Sequence, residues 1–199
     1  MNKNITVKKY PSPAPDIRGI RRYMGDRGES EAVSHVINEC LEESSECFDC
    51  RVCYGIYPVN IEGKNVDFGF ARAESKNLSE NLAGADKAVI FAATAGLRID
   101  RMIKAYSAQS PVKSLCFDAI GTDAIENLCN AFNSDIGERF TLLKPRFSPG
   151  YGDLNISFQK VIFEELSCSS AIGLYLSDSL QMIPTKSVTA IIGVKDENP

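Results

Sequence analysis

The spacing of apolar residues changes along the chain, and the N-terminal part predicts two helices. Between positions 29 and 47 the apolar residues recur three or four positions apart, which is the period of an amphipathic helix. They are Val33, Val36, Ile37, Cys40 and Leu41. A shorter helix should follow Asp16, whose side chain can cap it, and should end in the glycine-containing stretch 25–28. Each predicted helix has one apolar face, so each should pack against another element.

The following segments predict strands. Apolar and more polar residues alternate over positions 51–56, and a turn at 62–65 leads into residues 66–71, a pattern typical of a β-hairpin. A short helix capped by Ser75 comes next. The run Lys87–Thr94 is then almost continuously apolar, which predicts a central strand buried on both faces.

The second half of the chain predicts three helices and three strands. Helical spacing follows Gly96, and a second helix begins near Pro111. A turn-rich segment at 145–153 comes before the third helix. The other predicted elements are a strand at 139–144, a helix at 156–166, strands at 172–176 and 188–194, and between these two strands a loop at 182–185.

This order of elements lacks the strict alternation of strand and helix that a parallel sheet requires. It favours an α+β fold with a largely antiparallel, twisted sheet packed by helices. A chain of 199 residues can bury one sizeable core. We therefore expect a single domain over residues 1–199, in which three alternating prolines make residues 1–15 an extended N-terminal leader.

Charge and composition disfavour several classes of partner. The formal net charge is −4 and the isoelectric point is about 5.2, so no overall positive field attracts nucleic acid. The longest nearly apolar run, 88–97, is about half the length of a membrane-spanning helix. No apolar segment follows Lys3, Lys8 and Lys9, so no export signal is expected. These features predict a cytoplasmic protein without nucleic acid or membrane partners.

The cysteines and the one histidine do not indicate a metal or hydrolase site. Seven cysteines without an export signal predict reduced thiols. Cys47, Cys50 and Cys53, with Cys40 upstream, resemble an iron–sulfur spacing. Cys40, however, belongs to a helical apolar stripe, and Cys53 belongs to an alternating strand and should point away from a shared cluster. His35 lies inside a predicted helix, so neither a metal nor a Ser-His-Asp triad is expected.

The turn after the predicted strand 139–144 has the composition of a ligand-binding loop. Pro149 restricts the backbone, Gly150 and Gly152 let it approach a ligand closely, and Tyr151 offers a flat face. Arg146 can hold a carboxylate through two parallel hydrogen bonds. The N–H groups of the following helix should add partial positive charge. The pattern predicts an anionic or zwitterionic small ligand; the alternative is a surface turn whose arginine pairs with a nearby acid.

The segment Arg146-Phe-Ser-Pro-Gly-Tyr-Gly-Asp153 resembles the R-x-x-x-G-Y signature of the activation domain of cobalamin-dependent methionine synthase. As in that family, a helix follows at 158–166, and residues 172–190 then contain a polar turn, Met-x-Pro and Ser-Val-x-Ala. Segments 16–28 and 117–122 are also similar to the family. The resemblance spans nearly the whole chain and implies a domain that binds S-adenosylmethionine.

The resemblance implies roles for the residues of the loop. Arg146 would pair with the methionine carboxylate, Gly150 and Tyr151 would shape the wall beside the ribose and adenine, and backbone groups near Asp153 would read the adenine edge. The implied S-adenosylmethionine site consists of Asp16, Glu126, Arg146, Pro149, Gly150, Tyr151, Gly152 and Asp153.

Two acids of this implied site lie outside the loop. Asp16 matches the family's acid that receives the ligand's α-ammonium group, and Glu126 aligns with the acid placed near the sulfonium. From the residues alone, Asp16 is equally suited to cap a helix, and Glu126 can be a solvated helix charge. Both alternatives stay open.

The resemblance also implies partners, since this family supports the reductive methylation of cob(II)alamin. The sequence contains no cobalamin-binding Asp-x-His-x-x-Gly motif, so the cobalamin would be carried by a separate methionine synthase subunit. A flavodoxin-like protein or a ferredoxin would supply the electron. Met182, Ile183 and Pro184 form a candidate docking segment for the partner. The family domain extends beyond the position matching Pro199, so any ligand contact from that extension must be missing or replaced.

Two alternative functions remain open at this stage. The chain could reactivate another corrinoid methyltransferase, or it could be a scaffold subunit that has lost ligand binding. In each case we expect a component of a methyltransferase system rather than a self-sufficient enzyme, with no catalytic side chain of its own.

Overall fold

A computed structural model describes residues 5–26 and 30–196. The helices are α1 (Ile17–Tyr23), α2 (Glu31–Ser44), α3 (Lys76–Asn81), α4 (Leu97–Tyr106), α5 (Pro111–Gly137), α6 (Phe158–Glu165) and α7 (Cys168–Ile172). The strands are β1 (Thr6–Lys9), β2 (Arg51–Pro58), β3 (Asn60–Glu62), β4 (Asn65–Asp67), β5 (Arg72–Glu74), β6 (Lys87–Thr94), β7 (Leu142–Leu143), β8 (Tyr175–Leu176), β9 (Met182–Ile183) and β10 (Ser187–Lys195).

A five-stranded sheet in the order β1-β2-β6-β10-β7 forms the centre of the fold. All of its pairings are antiparallel, and Phe91 of β6 lies between Tyr54 of β2 and Ala190 of β10. The strands β3, β4 and β5 form a small sheet of their own, and β8 pairs with β9. The α+β prediction with a largely antiparallel sheet is therefore confirmed.

Helices cover both faces of the central sheet, which explains the unbroken apolar run of β6. Val89 and Phe91 pack with Leu128 and Phe132 of α5 on one face. On the other face, Ala88 and Ile90 belong to the cluster that contains Ile162 of α6. Successive side chains of a strand point to opposite faces, so a strand covered on both sides has no polar positions to expose.

Helices α1, α2 and α4 pack together against the N-terminal half of α5. Ile20, Ile37, Ile99 and Phe117 are among the residues buried there. The predicted helical periodicity of these segments is confirmed, and Asp16 and Ser75 accept the expected capping hydrogen bonds from the N–H groups of Arg18 and Leu78. None of the helices within residues 5–26 and 30–196 combines the length and apolar character that crossing a bilayer requires.

Several element predictions are corrected by the structure. The leader contains β1, which pairs with β2 and is the edge strand of the central sheet. Residues 51–56 do not form a hairpin with 66–71, because β2 pairs with β1 and β6, while the turn at 62–65 joins β3 to β4. The alternation of apolar and polar residues shows which face of a strand is buried, but it does not identify the strand that pairs with it.

Two predicted strands near the C-terminal end are shorter than expected. Residues 139–144 contribute only Leu142–Leu143, paired with the end of β10. Ile172, expected at the start of a strand, is the last residue of α7, and the strand that follows it is Tyr175–Leu176. Gly173, in the left-handed conformation, ends α7 and separates the two elements.

Candidate ligand-binding site

A cavity of about 440 Å³ opens beside the first residues of β10. Strand β6 pairs with β10 along one edge, but on the other edge only Phe147 and β7 do so, which leaves residues 187–189 bordering open space. The cavity is lined by Glu126, Arg146, Phe147, Ser148, Pro149, Tyr151, Ile156, Gln159, Met182, Ser187, Val188 and Thr189. Its volume falls in the range of about 300–1,000 Å³ typical of small-molecule sites.

The cavity reaches from α5 on one face of the sheet to α6 on the other. Phe147 exchanges two backbone hydrogen bonds of 2.9 Å with Ile191 and packs into the cluster that contains α6. Arg146, one residue earlier, extends to the opposite side, toward α5. Because neighbouring residues of extended chain point to opposite faces, the loop supplies walls to both ends of the cavity.

Arg146 occupies the α5 end. Its Nη2 donates to Glu126 Oε2 at 3.1 Å and to Asn130 Oδ1 at 3.3 Å. Its Nη1 is buried and has no hydrogen-bond partner. A buried charged donor without a partner is costly, so an acceptor that enters the cavity and reaches Nη1 would gain a charge-assisted hydrogen bond. Arg146 thus pairs with a nearby acid, as the alternative interpretation expects, and its Nη1 still has no partner.

Gln159 occupies the α6 end and was not predicted from the sequence. Its side chain is 4% exposed, lines the cavity, and has a buried Oε1 without a partner. Its side-chain position depends on where α6 begins and on how that helix meets the sheet. In the sequence it is one polar residue in an amphipathic helix, and no local signal marks it as part of a site.

The cavity residues hold two of the four unpartnered atoms in the described part of the chain. Among residues 5–26 and 30–196, buried side-chain polar atoms lack a partner only at Asn81, Asn133, Arg146 and Gln159. Buried polar groups in folded proteins are almost always paired with protein groups, ordered water or a ligand, so two residues with an unpartnered atom in one cavity lining mark it as the candidate site.

The loop itself has the glycine-dependent shape that its sequence predicts. Gly150 and Gly152 have φ values of +92° and +53°, in the region that residues with a Cβ rarely adopt. A Cβ on Gly152 would lie 2.5 Å from Asn77 Oδ1, which itself accepts the N–H of Asp153. Neither glycine lines the cavity, so their role is to shape the turn that presents Pro149 and Tyr151.

Asp153 anchors the loop to α3 rather than facing the cavity. Its carboxylate accepts hydrogen bonds from the Ser75 hydroxyl and from the backbone N–H groups of Lys76 at 2.8 Å and Asn77 at 3.2 Å. The backbone N–H of Asp153 is also occupied, by Asn77. The prediction that backbone groups near Asp153 read an adenine edge is therefore not supported by this placement.

The contribution of Asp153 to stability should depend on pH. Its hydrogen bond from Ser75 holds the pKa of Asp153 below its usual range. A carboxyl group with a lowered folded-state pKa stabilises the fold above its unfolded pKa, near about 4, and loses that contribution as the pH falls through the folded value. We expect Asp153→Asn to lower the urea midpoint at about pH 7 and to change it much less at about pH 2.5.

The matched control for this measurement is Asp178→Asn. Asp178 is exposed in the turn between β8 and β9, so its replacement should leave the urea midpoint nearly unchanged at neutral pH. An equal loss of stability for Asp153→Asn at both pH values would contradict the proposed anchoring by the ionised carboxylate.

The N-terminal N–H groups of α6 do not reach the site, contrary to prediction. Asn155 accepts twice, its side-chain oxygen from the Ser157 N–H at 2.8 Å and its carbonyl from the Phe158 N–H. The N–H groups of Gln159 and Lys160 donate to the carbonyls of Ile156 and Ser157. The residues just before and at the start of α6 thus accept the hydrogen bonds of its first N–H groups, and these groups are not available to a ligand.

Asp16 also lies outside the cavity lining. Its side chain caps α1, and its backbone N–H donates to Asp123 Oδ2 at 3.0 Å. Asp123 is buried, which raises the pKa of its carboxyl group, and it accepts a second hydrogen bond from Asn127. Of the two acids implied by the resemblance, the structure therefore brings only Glu126 to Arg146.

Cys129, next to Arg146, is not a nucleophile in this site. Burial raises the pKa of the Cys129 thiol to about 12, although the nearby Arg146 opposes the shift. At neutral pH the side chain is a protonated thiol, and the thiolate is the nucleophilic form of cysteine. Cys129 therefore contributes to packing beside Arg146 rather than a thiolate.

The predicted docking segment is only partly on the surface. Ile183 is 46% exposed, and its cross-strand partner Tyr175 is 57% exposed. Met182 is half-buried and lines the cavity. Pro184 is buried, which corrects the expectation that all three residues are available to a partner. The exposed apolar pair is Tyr175 and Ile183, joined across the β8–β9 ribbon.

The cysteines near the iron–sulfur-like spacing have different neighbours. Cys47 Sγ lies 3.0 Å from Met102 Sδ, and Cys53 Sγ of β2 lies 4.0 Å from Cys168 Sγ of α7. All seven cysteines are free thiols. Within the described ranges, 5–26 and 30–196, no three His, Cys, Asp or Glu side chains are grouped to hold a metal ion.

Comparison with known structures places this fold in a recognised class of domain. No protein-family model and no curated protein sequence matches the chain. The crystal structure of the MetH reactivation domain bound to AdoHcy is similar, with a TM-score of 0.71 over 98% of this chain and 80% of that chain. The two sequences are 15% identical. The chain therefore has the fold of the methionine synthase reactivation domain, as the signature loop predicts.

Proposed function

We propose that this protein binds S-adenosylmethionine in the cavity between α5 and α6 and supports the reductive methylation of cobalamin on a separate methionine synthase subunit. The observation that carries the proposal is the pair of unpartnered buried atoms, Arg146 Nη1 and Gln159 Oε1, among the residues lining one cavity. The similar reactivation domain, whose crystal structure contains AdoHcy, supports the identity of the ligand.

The charges of the cavity suit the amino-acid end of this ligand. Arg146 Nη1 would bind the carboxylate through a charge-assisted hydrogen bond. Glu126 is the one acidic side chain among the described residues that line the cavity, so it would attract the positive ammonium and sulfonium groups. In this geometry Glu126 takes the role that the resemblance divides between Asp16 and Glu126.

The chain's own residues would bind and orient the ligand. The ligand would supply its sulfonium methyl group to the partner's cobalamin, which a flavodoxin-like protein or a ferredoxin would reduce by one electron, and S-adenosylhomocysteine would remain. Arg146 and Glu126 would hold the amino-acid end, and Tyr151 lines the same cavity. Positioning of this kind lowers a barrier by removing the entropy cost of bringing the reacting groups together.

Calorimetric titration with S-adenosylmethionine tests the ligand. We expect saturable binding with one site per chain, and the same for S-adenosylhomocysteine. The partner is tested by adding the chain to inactive, cob(II)alamin-containing methionine synthase that lacks its own activation domain, with reductant and S-adenosylmethionine. Binding without reactivation would favour another corrinoid methyltransferase as the partner, and failure to bind would favour a scaffold role.

The exposed ribbon allows a prediction for docking on the cobalamin-bearing subunit. Replacing Tyr175 and Ile183 together by aspartate should reduce reactivation by more than about tenfold, because a charged pair would have to be desolvated against the partner. Calorimetric binding of S-adenosylmethionine should be retained, since neither side chain lines the cavity.

A control for this variant is Val112→Asp. Val112 is also exposed, but it lies in the first turn of α5, where a negative charge is tolerated. It should leave reactivation unchanged. Full reactivation by the Tyr175 and Ile183 double variant would exclude the β8–β9 ribbon as the docking surface.

A further inference from the structure

We infer that Gln159 is the residue that selects an adenine base in this cavity, by accepting a hydrogen bond from its 6-amino group. This inference rests on the proposed function, because it assigns the base end of the same ligand. The observations that support it are the position of Gln159 at the α6 end of the cavity, its burial and its unpartnered Oε1.

The two ends of the cavity differ in chemistry, and this difference fixes the direction of the ligand. The α5 end has the charged pair Arg146 and Glu126. The lining also includes Pro149, Tyr151 and Ile156, which are apolar or aromatic, and Gln159 of α6 supplies its one amide. An amino-acid group needs the charges, and a flat purine ring needs aromatic and apolar walls with one or two polar contacts.

The unpartnered atom at the α6 end is an acceptor, and this selects among purines. An adenine 6-amino group is a donor and would satisfy Gln159 Oε1. With Oε1 turned to the base, a 6-oxo purine would place its own oxygen there, so two acceptors would face each other and both would lose hydrogen bonds with water. The last side-chain torsion of glutamine is broad, so a small rotation can bring Oε1 to the ligand without moving α6.

The inference can be tested with two ligands that differ only at this position of the base. S-adenosylhomocysteine and its 6-oxo analogue, S-inosylhomocysteine, are titrated into the wild type and into Gln159→Met. Methionine keeps the length of the side chain but cannot hydrogen-bond strongly. We expect the wild type to prefer the adenosyl ligand by at least about tenfold, as for a site built around one donor–acceptor pair. In Gln159→Met the two affinities should differ by less than about threefold.

The outcomes separate this inference from the proposed function. Equal affinity of the wild type for the adenosyl and inosyl ligands would overturn the role of Gln159. A preference for the adenosyl ligand that persists in Gln159→Met would do the same. Either result would leave the proposed ligand site intact. If the wild type binds neither ligand, the proposed function fails as well. The wild-type comparison alone decides the matter if Gln159→Met does not fold. Gln109→Met, at an exposed glutamine before α5, is the matched control and should keep the wild-type preference.

Discussion

Replacing Arg146 with alanine should weaken the binding of S-adenosylmethionine by about 10- to 150-fold. This range corresponds to the 1.5–3 kcal/mol that hydrogen bonds to a charged group typically contribute. The change removes the buried Nη1 donor and leaves Glu126 without its neutralising partner beside the cavity. Calorimetry on the variant and the wild type in the same buffer measures the difference directly.

Two further variants make this result specific. Arg146→Lys keeps the positive charge but loses the planar fork, so its affinity should fall between those of the wild type and Arg146→Ala. Arg101→Ala removes an exposed arginine on α4 and should bind like the wild type. An unchanged affinity in Arg146→Ala would show that the unpartnered donor does not contact the ligand, and the proposed site would then be wrong.

Replacing Phe132 with alanine should destabilise the fold by about 3–5 kcal/mol, the range seen for buried Phe→Ala changes. Phe132 is fully buried between α5 and the sheet, with its ring centroid 4.7 Å from that of Phe91 and 5.1 Å from that of Tyr54. The lost contacts join the helix that carries Glu126 to the two strands at the centre of the fold. For a chain of this size we expect the thermal midpoint to fall by about 6–20 °C.

The comparison for this variant is Leu115→Ala on the same helix. Leu115 is 47% exposed, so its replacement should change the free energy of unfolding by less than about 0.5 kcal/mol. Urea unfolding followed by circular dichroism measures both variants. Similar stabilities for the two would mean that α5 does not pack on the sheet through Phe132.

The Arg146–Glu126 pair and the unpartnered Nη1 mean that the proposed site would be largely formed before the ligand binds. Glu126 holds one nitrogen of the guanidinium at 3.1 Å, and burial keeps the other away from water. Restricting the arginine in this way reduces the side-chain entropy that is lost on binding. The hydrogen bonds from α3 to Asp153 likewise restrict the backbone of the loop that carries Tyr151.

Local sequence patterns determined much of the fold. The unbroken apolar run Lys87–Thr94 identified β6 with its observed bounds, because burial on both faces leaves no polar positions. Asp16 and Ser75 marked helix starts, since each can accept an N–H from the first turn. The signature loop was found because its glycines and its arginine are needed locally, for backbone shape and for charge.

Tertiary structure alone decided which residues meet at the cavity. Gln159 lines it because of the way α6 packs on the sheet, and Asp16 does not, because its side chain caps α1. The alternation of apolar and polar residues also did not determine that β2 pairs with β6 rather than with residues 66–71. Spacing along a chain encodes the faces of single elements, whereas the partners of those faces depend on contacts between residues far apart in sequence.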